Sequence, residues 1–181
     1  MAAMNTTPLK IDFVSDVSCP WCAVGLGALE EALQKLQGDV SAELHFQPFE
    51  LNPKMGPEGR GRIWNTFDAH RLLHWAGEEG APGQQHALKK ALMAACHTRS
   101  EAMGHHDVLL GCVHEAGLNE ARAQAILASD EYAQDVRERE AFYTSHGIHS
   151  VPAVIINDKH LISGGQPAAV FEQALRQIAA E

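Results

Sequence analysis

Hydrophobic positions along the chain follow two alternating periods. In LKIDFVSDV (9–17) apolar and β-branched residues crowd a short stretch bounded by turn formers, which predicts a strand. In CPWCAVGLGALEEALQKLQ (19–37) Val24, Leu26, Leu29, Leu33 and Leu36 recur at helical spacing, with Gly38 as a stop. Pro20 suits the first turn of that helix, where its missing N–H is no loss. VSAELHFQPFELN (40–52) alternates Val40, Ala42, Leu44 and Phe46 against polar residues and predicts a second strand, so the three form a βαβ unit, a connection that is almost always right-handed. PKMGPEGRGR (53–62) reads as loop.

From Ile63 to about Tyr132 no strand signal occurs. NTFDAHRLLHWAGEEG, GQQHALKKALMAACHTRS, HHDVLLGCVHEAGL and NEARAQAILAS all show helical periodicity. DEYAQDVREREAFYTSHG (130–147) predicts a long amphipathic helix ending at Gly147. VPAVIIN (151–157) predicts a strand, and KHLISGG (159–165) its hairpin partner across Asn157-Asp158. PAAVFEQALRQIAAE (167–181) is a last helix with Pro167 in its first turn. The order β-α-β, helices, α-β-β-α predicts an α/β fold in two parts, 1–62 and 133–181, with an all-helical insertion at 63–132.

Composition narrows the chemistry. The 181 residues are 45% apolar and 20% charged, as for a soluble globular chain, and the net charge of −9 disfavours binding to phosphate backbones. No apolar run approaches a membrane span. The opening MAAMNTTPLKIDF lacks a basic region followed by an apolar one, so a cytoplasmic protein with no secretory signal is expected. Four cysteines stand at Cys19, Cys22, Cys96 and Cys112. A permanent disulfide is rare in a reducing compartment, and a structural zinc site needs four ligands, whereas a second Cys-x-x-Cys is absent.

SDVSCPWCAVG (15–25) therefore carries the chemistry, as a half zinc site, a structural bridge or a working redox pair. Its placement favours the third. Cys19 falls where a strand ends and a helix begins, and the unsatisfied N–H groups and partial positive charge there favour thiolate over thiol. Cys22 lies within the first turn, near enough to close a small ring, with Cys19 expected to be exposed and Cys22 behind it.

The chain also resembles a known family. Cys19-Pro20-Trp21-Cys22 after IDFVSD, with Val151-Pro152 opening a later strand, looks like the thioredoxin fold in its DsbA-like form, where a helical domain interrupts the fold. The blocks SDVSCPWC, FELNP, NTFDAHRL and GIHSVPAVIIN…SGGQP resemble the FrnE-like branch. The resemblance implies thiol–disulfide oxidoreductase activity on protein or small-molecule disulfides and thiols, with Cys19 attacking and Cys22 resolving. It implies no bound cofactor, glutathione serving at most as redox partner. It also implies a cis Pro152 facing the cysteine pair; Val151 would then stand beside the substrate, and Trp21 either contacts substrate or covers the disulfide.

Two departures stand out. Periplasmic members carry a buried acid on the first strand where this chain has Phe13; Asp12 and Asp16 are near, and Asp16 could equally cap the helix. The segment between FELNP and NTFDAHRL is shorter than in the family, so a chain break between Pro57 and Arg62, or else a genuine deletion, is expected.

Other residues have plainer readings. Cys96 and Cys112 lie on apolar faces and read as inert core thiols. His70 and His74 share a helix face but lack a third ligand, so no metal is expected. His149 and Ser150 precede Pro152, and His149 would stabilise a thiolate if it stood beside Cys19. SGGQP (163–167) reads as a tight turn before an anion site. Two rival functions remain. One is a glutathione-dependent transferase or isomerase of the kappa and hydroxychromene-carboxylate type, which carries serine in place of the first cysteine. The other is a non-enzymatic zinc-binding or chaperone-like module.

Overall fold

Alternation in the first strand sorts its side chains between two cores. In the computed structural model, which describes residues 7–56 and 58–181, strand β1 (Leu9–Ser15) lies inside a four-stranded sheet of order β2-β1-β3-β4. It pairs in parallel with β2 (Ala42–Pro48) and antiparallel with β3 (Ala153–Ile156), which pairs antiparallel with β4 (His160–Ser163). Ile11 and Phe13 point to one face, where Leu26 and Leu29 of helix α1 (Pro20–Lys35) and Phe171 and Leu175 of α7 (Ala168–Ala179) cover them. Phe13 meets Phe46 edge to face at 5.9 Å. Val14 points to the other face and packs with Tyr143, Ile148 and Ala153. Tyr143 belongs to α6 (Ala133–Ser145).

Between β2 and α6 run four helices: α2 (Phe67–Glu79), α3 (Gln84–Met93), α4 (His106–Glu115) and α5 (Glu120–Leu127). A π-helical turn, Ala94–Thr98, extends α3. These helices share their own core, built on Leu72, Leu88, Leu92, Leu109 and Ile126. Gln85 of α3 joins them to the sheet. Its Oε1 accepts the Phe46 N–H (3.1 Å), and its Nε2 donates to the Phe46 carbonyl (3.3 Å) and to Leu73 (3.0 Å). Gly77 makes room for it, since a Cβ there would lie 2.7 Å from Gln85 Nε2.

The predicted elements all form, with shifted ends. The second strand stops at Pro48, short of 52, because the chain then leaves the sheet and the Leu51 N–H turns to the Asp16 carboxylate. The helix predicted from 130 starts at Ala133, since Tyr132 has φ 63° and its ring rests on His74 at 5.2 Å. The last helix starts at Ala168, with Pro167 outside its first turn. Asn157 and Asp158 both take positive φ (55° and 56°) in the three-residue connection between paired Ile156 and His160, where the Lys159 N–H bonds the Ile156 carbonyl (3.1 Å). The break expected between Pro57 and Arg62 begins on Pro57, which lies outside the described residues; beyond it Arg60 and Ile63 exchange backbone bonds (2.8 and 3.0 Å).

Phe13 fills the centre of the sheet face without exposure. Phe13→Ala should cost about 3–5 kcal/mol of stability in urea unfolding; a loss under about 1 kcal/mol would show that the site collapses around the cavity.

Candidate active site

A three-residue turn delivers Cys19 to the start of α1, and long-range contacts fix it. Buried Asp16 accepts the Leu51 N–H through Oδ2 (2.8 Å), and its Oδ1 stands 3.3 Å from Nε2 of buried His70. The same nitrogen is 3.1 Å from the Phe49 carbonyl, so it carries the proton. Burial pushes the Asp16 carboxyl up, but the bond and charge of His70 and the Leu51 amide hold it below the ordinary range. His97, on the π-helical turn, donates from Nε2 to the Val17 carbonyl (2.8 Å).

Cys19 is the N-cap itself. Its backbone is extended (φ −88°, ψ 114°), and its Sγ accepts the Cys22 N–H at 3.2 Å, taking the place that Asp16 could have filled. Pro20 needs no acceptor, so the sulfur faces the next free amides. Hydrogen bonds from the Cys22 thiol and from the Cys22 and Trp21 amides hold Cys19 at about 7, against burial and the Asp16 charge. Cys22, fully buried, is pushed well up by its bond to Cys19 and by burial. Both thiols are free. The expectation of an exposed nucleophile is corrected: Cys19 is only 5% exposed, and Trp21 beside it is 65% exposed. Cys19 is covered because α1, the Pro152 loop and the turn after β4 converge on it. The Val151–Pro152 peptide is cis, and the Val151 carbonyl lies 4.0 Å from Cys19 Sγ. A Cβ on Gly25 would meet Pro152 Cγ at 3.0 Å, and one on Gly165 would meet the Trp21 carbonyl at 3.2 Å. A side chain at either place would push the facing segment back by a few tenths of an ångström, so glycine suits this close approach.

A model of the DsbA-like thioredoxin domain matches residues 10–176. The chain belongs to that family. It is 28% identical to the uncharacterized protein YwbO of Bacillus subtilis strain 168, over 92% of this chain and 96% of that protein. That alignment spans 201 positions, more than the whole of this chain, so the relative carries residues absent here. Among solved structures it resembles a probable DsbA oxidoreductase, SCO1869, from Streptomyces coelicolor, at 27% identity and a TM-score of 0.84, covering 96% of this chain and 91% of that one. A periplasmic thioredoxin-like protein from Salmonella enterica serovar Typhimurium shares the fold at 21% identity and a TM-score of 0.65, covering 98% and 87%.

The fold brings Cys19, Cys22, Trp21, Val151 and Pro152 together. It leaves others apart. Asp12 points to the opposite face from Phe13, where Gln47 Nε2 (2.9 Å) and Lys10 Nζ (3.4 Å) meet it. His149 and Ser150 are exposed, and the Cys19 sulfur faces the Val151 carbonyl instead. His70 is engaged by Asp16 and Phe49, and the His74 ring lies against Tyr132. The Gln166 N–H bonds the Gly164 carbonyl (3.0 Å) and its Nε2 the Ser163 carbonyl (2.9 Å), so SGGQP is a tight turn, and the Gly164 N–H ties it to the Pro152 carbonyl (2.8 Å). Cys96 and Cys112 pack in the helical core, where burial raises both to about 11. Among the described residues no helix is long and apolar enough to cross a membrane.

One residue escaped sequence reasoning. Lys89 is fully buried on α3, and its Nζ has no hydrogen-bond partner among the described residues. The signal was available: Gln85, Leu88, Lys89, Leu92, Met93 and Cys96 form one helical stripe, and the lysine falls inside it.

Alkylation by iodoacetamide at Cys19 should rise as pH increases through about 7, where the thiol becomes thiolate. Cys96 and Cys112, both held at about 11, should stay unmodified at neutral pH in the folded chain. Peptide mass mapping across pH 5–9 checks both; a Cys19 inflection near 9 would remove the argument for an activated sulfur.

Proposed function

We propose that the protein exchanges disulfides through the Cys19–Cys22 dithiol, and that the FrnE-like sequence blocks mark its branch of the family. The observation that carries this reading is the sulfur-capped helix start: Cys19 receives the Cys22 N–H at 3.2 Å, and Cys22 is sealed directly behind it. Cys19 thiolate attacks one sulfur of a substrate disulfide, a new S–S bond forms, and the other substrate sulfur leaves as thiolate. Cys22 then attacks Cys19, closes the internal disulfide and releases the second substrate thiol. Two electrons pass from the dithiol to the substrate, and run the other way when substrate thiols are oxidised. Val151 would meet an extended substrate through its backbone, with Trp21 supplying an exposed aromatic wall. The direction of net flow is set by the potential of the pair against that of the thiols around it, with glutathione as the proposed small-molecule partner.

A glutathione-dependent transferase of the same fold would need no resolving thiol, and the buried Cys22 against Cys19 favours the dithiol route. Cys19→Ser should abolish reduction of a protein disulfide. Cys22→Ser should accumulate mixed disulfides on Cys19, visible by mass in a non-reducing sample. Cys96→Ser and Cys112→Ser should leave turnover within about twofold, since a shielded, high-pKa thiol takes no part in exchange. Full activity of Cys19→Ser, or adducts on Cys96, would refute the assignment.

A further inference from the structure

A lysine buried without a partner needs a reason, because desolvating an ammonium is costly. Lys89 sits on α3 one turn before Met93, and Met93 packs in the same cluster as Cys19 and Cys22. It therefore stands where the helical core meets the floor of the dithiol. The groups whose charge it feels are Cys22, Asp16 and Cys19, in that order. Both sulfurs interact with it, Cys22 more strongly: the bond to Cys19 and burial push the Cys22 thiol up, while the Asp16 backbone amide and the Lys89 charge pull it down. Buried charged groups on neighbouring elements are occupied elsewhere. His70 of α2 faces Asp16, and Arg71 of α2 donates to the carbonyls of Ile126, Ser129 and Glu131. Cys96 and Cys112 stay protonated at neutral pH. On the strand beneath, the face of Phe13 also carries buried Ser15, whose Oγ is neutral and has no hydrogen-bond partner among the described residues.

We propose that Lys89 is the buried counter-charge of the dithiol, its ammonium compensating the Cys22 thiolate that must form when the mixed disulfide on Cys19 is resolved. The inference rests on the dithiol reading above. Once Cys19 is bonded to a substrate sulfur it no longer carries charge, and of the groups acting on Lys89 only the Asp16 carboxylate remains anionic. Ionisation of Cys22, with its proton passing to solvent, restores a thiolate–ammonium pair. That thiolate attacks Cys19 Sγ; the Cys19–Cys22 bond forms and the Cys19–substrate bond breaks. The substrate sulfur departs with the electron pair and takes a proton from water. Burial brings Lys89 down to about 8 against the opposing charges of Cys22, Asp16 and Cys19, so its ammonium persists at neutral pH.

The test uses the full reduced chain and an aryl disulfide, dithiobis(nitrobenzoate). Attack by Cys19 releases one coloured thionitrobenzoate, and resolution by Cys22 releases a second. In Lys89→Met the first release should stay within about threefold of the native rate. The second should slow tenfold or more at pH 7, with its pH profile displaced upward by about one unit or more, the scale of a lost nearby opposite charge. The variant should melt no lower than the native chain, since a buried unpaired charge has been removed. Lys89→Gln should show the same displacement and serves if the methionine variant does not fold. A second phase with the native rate and profile in either variant overturns the proposal, as does an equal slowing of both phases with unchanged profiles, which marks a packing defect. A native chain that releases only one equivalent overturns the dithiol reading itself.

Discussion

A helix that starts on a sulfur constrains everything around it. The first amides of α1 need an acceptor, and here the Cys19 Sγ supplies it at 3.2 Å from the Cys22 N–H. The same contact orders the helix and activates the nucleophile, so folding and chemistry cannot be tuned separately. Pro20 enforces the arrangement by removing an amide that would otherwise compete. For the sulfur to hold its position, the preceding turn must be rigid. That rigidity comes from distant parts of the chain: Leu51 and His70 on Asp16, and His97 on Val17.

Those anchors show that the four helices between β2 and α6 support the site rather than only cover it. His70 comes from α2, His97 from the end of α3, and Lys89 from the middle of α3. A shift of α3 would move the Val17 tether and the Lys89 charge at once. The Pro152 loop closes the other side by close approach, with Gly25 and Gly165 leaving just enough space.

Much of this was legible in the sequence. The apolar, β-branched run at 9–17 and the period of 3.6 in 19–37 located the strand–helix junction because both faces of β1 and one stripe of α1 are buried. The link between Cys19 and Val151, 132 positions apart, came from resemblance to a family, since no local pattern encodes a contact across that separation. The buried state of Cys19 was missed because it is made by three segments closing together, none of which signals the others. The inward lysine was missed for a different reason: position 89 falls within the apolar stripe of α3, while Lys90 beside it reaches Glu30 outside (2.8 Å).

The amide of Gln85 completes the edge of the sheet as a further strand would. It takes both backbone groups of Phe46 that face away from β1, so β2 offers no free pairing there to another chain. In modular terms, the helical layer is not a cassette that can be lifted out to leave a minimal thioredoxin-like scaffold. Its removal would expose a strand edge built to be covered, and the remaining fragment would be prone to stack on its own copies.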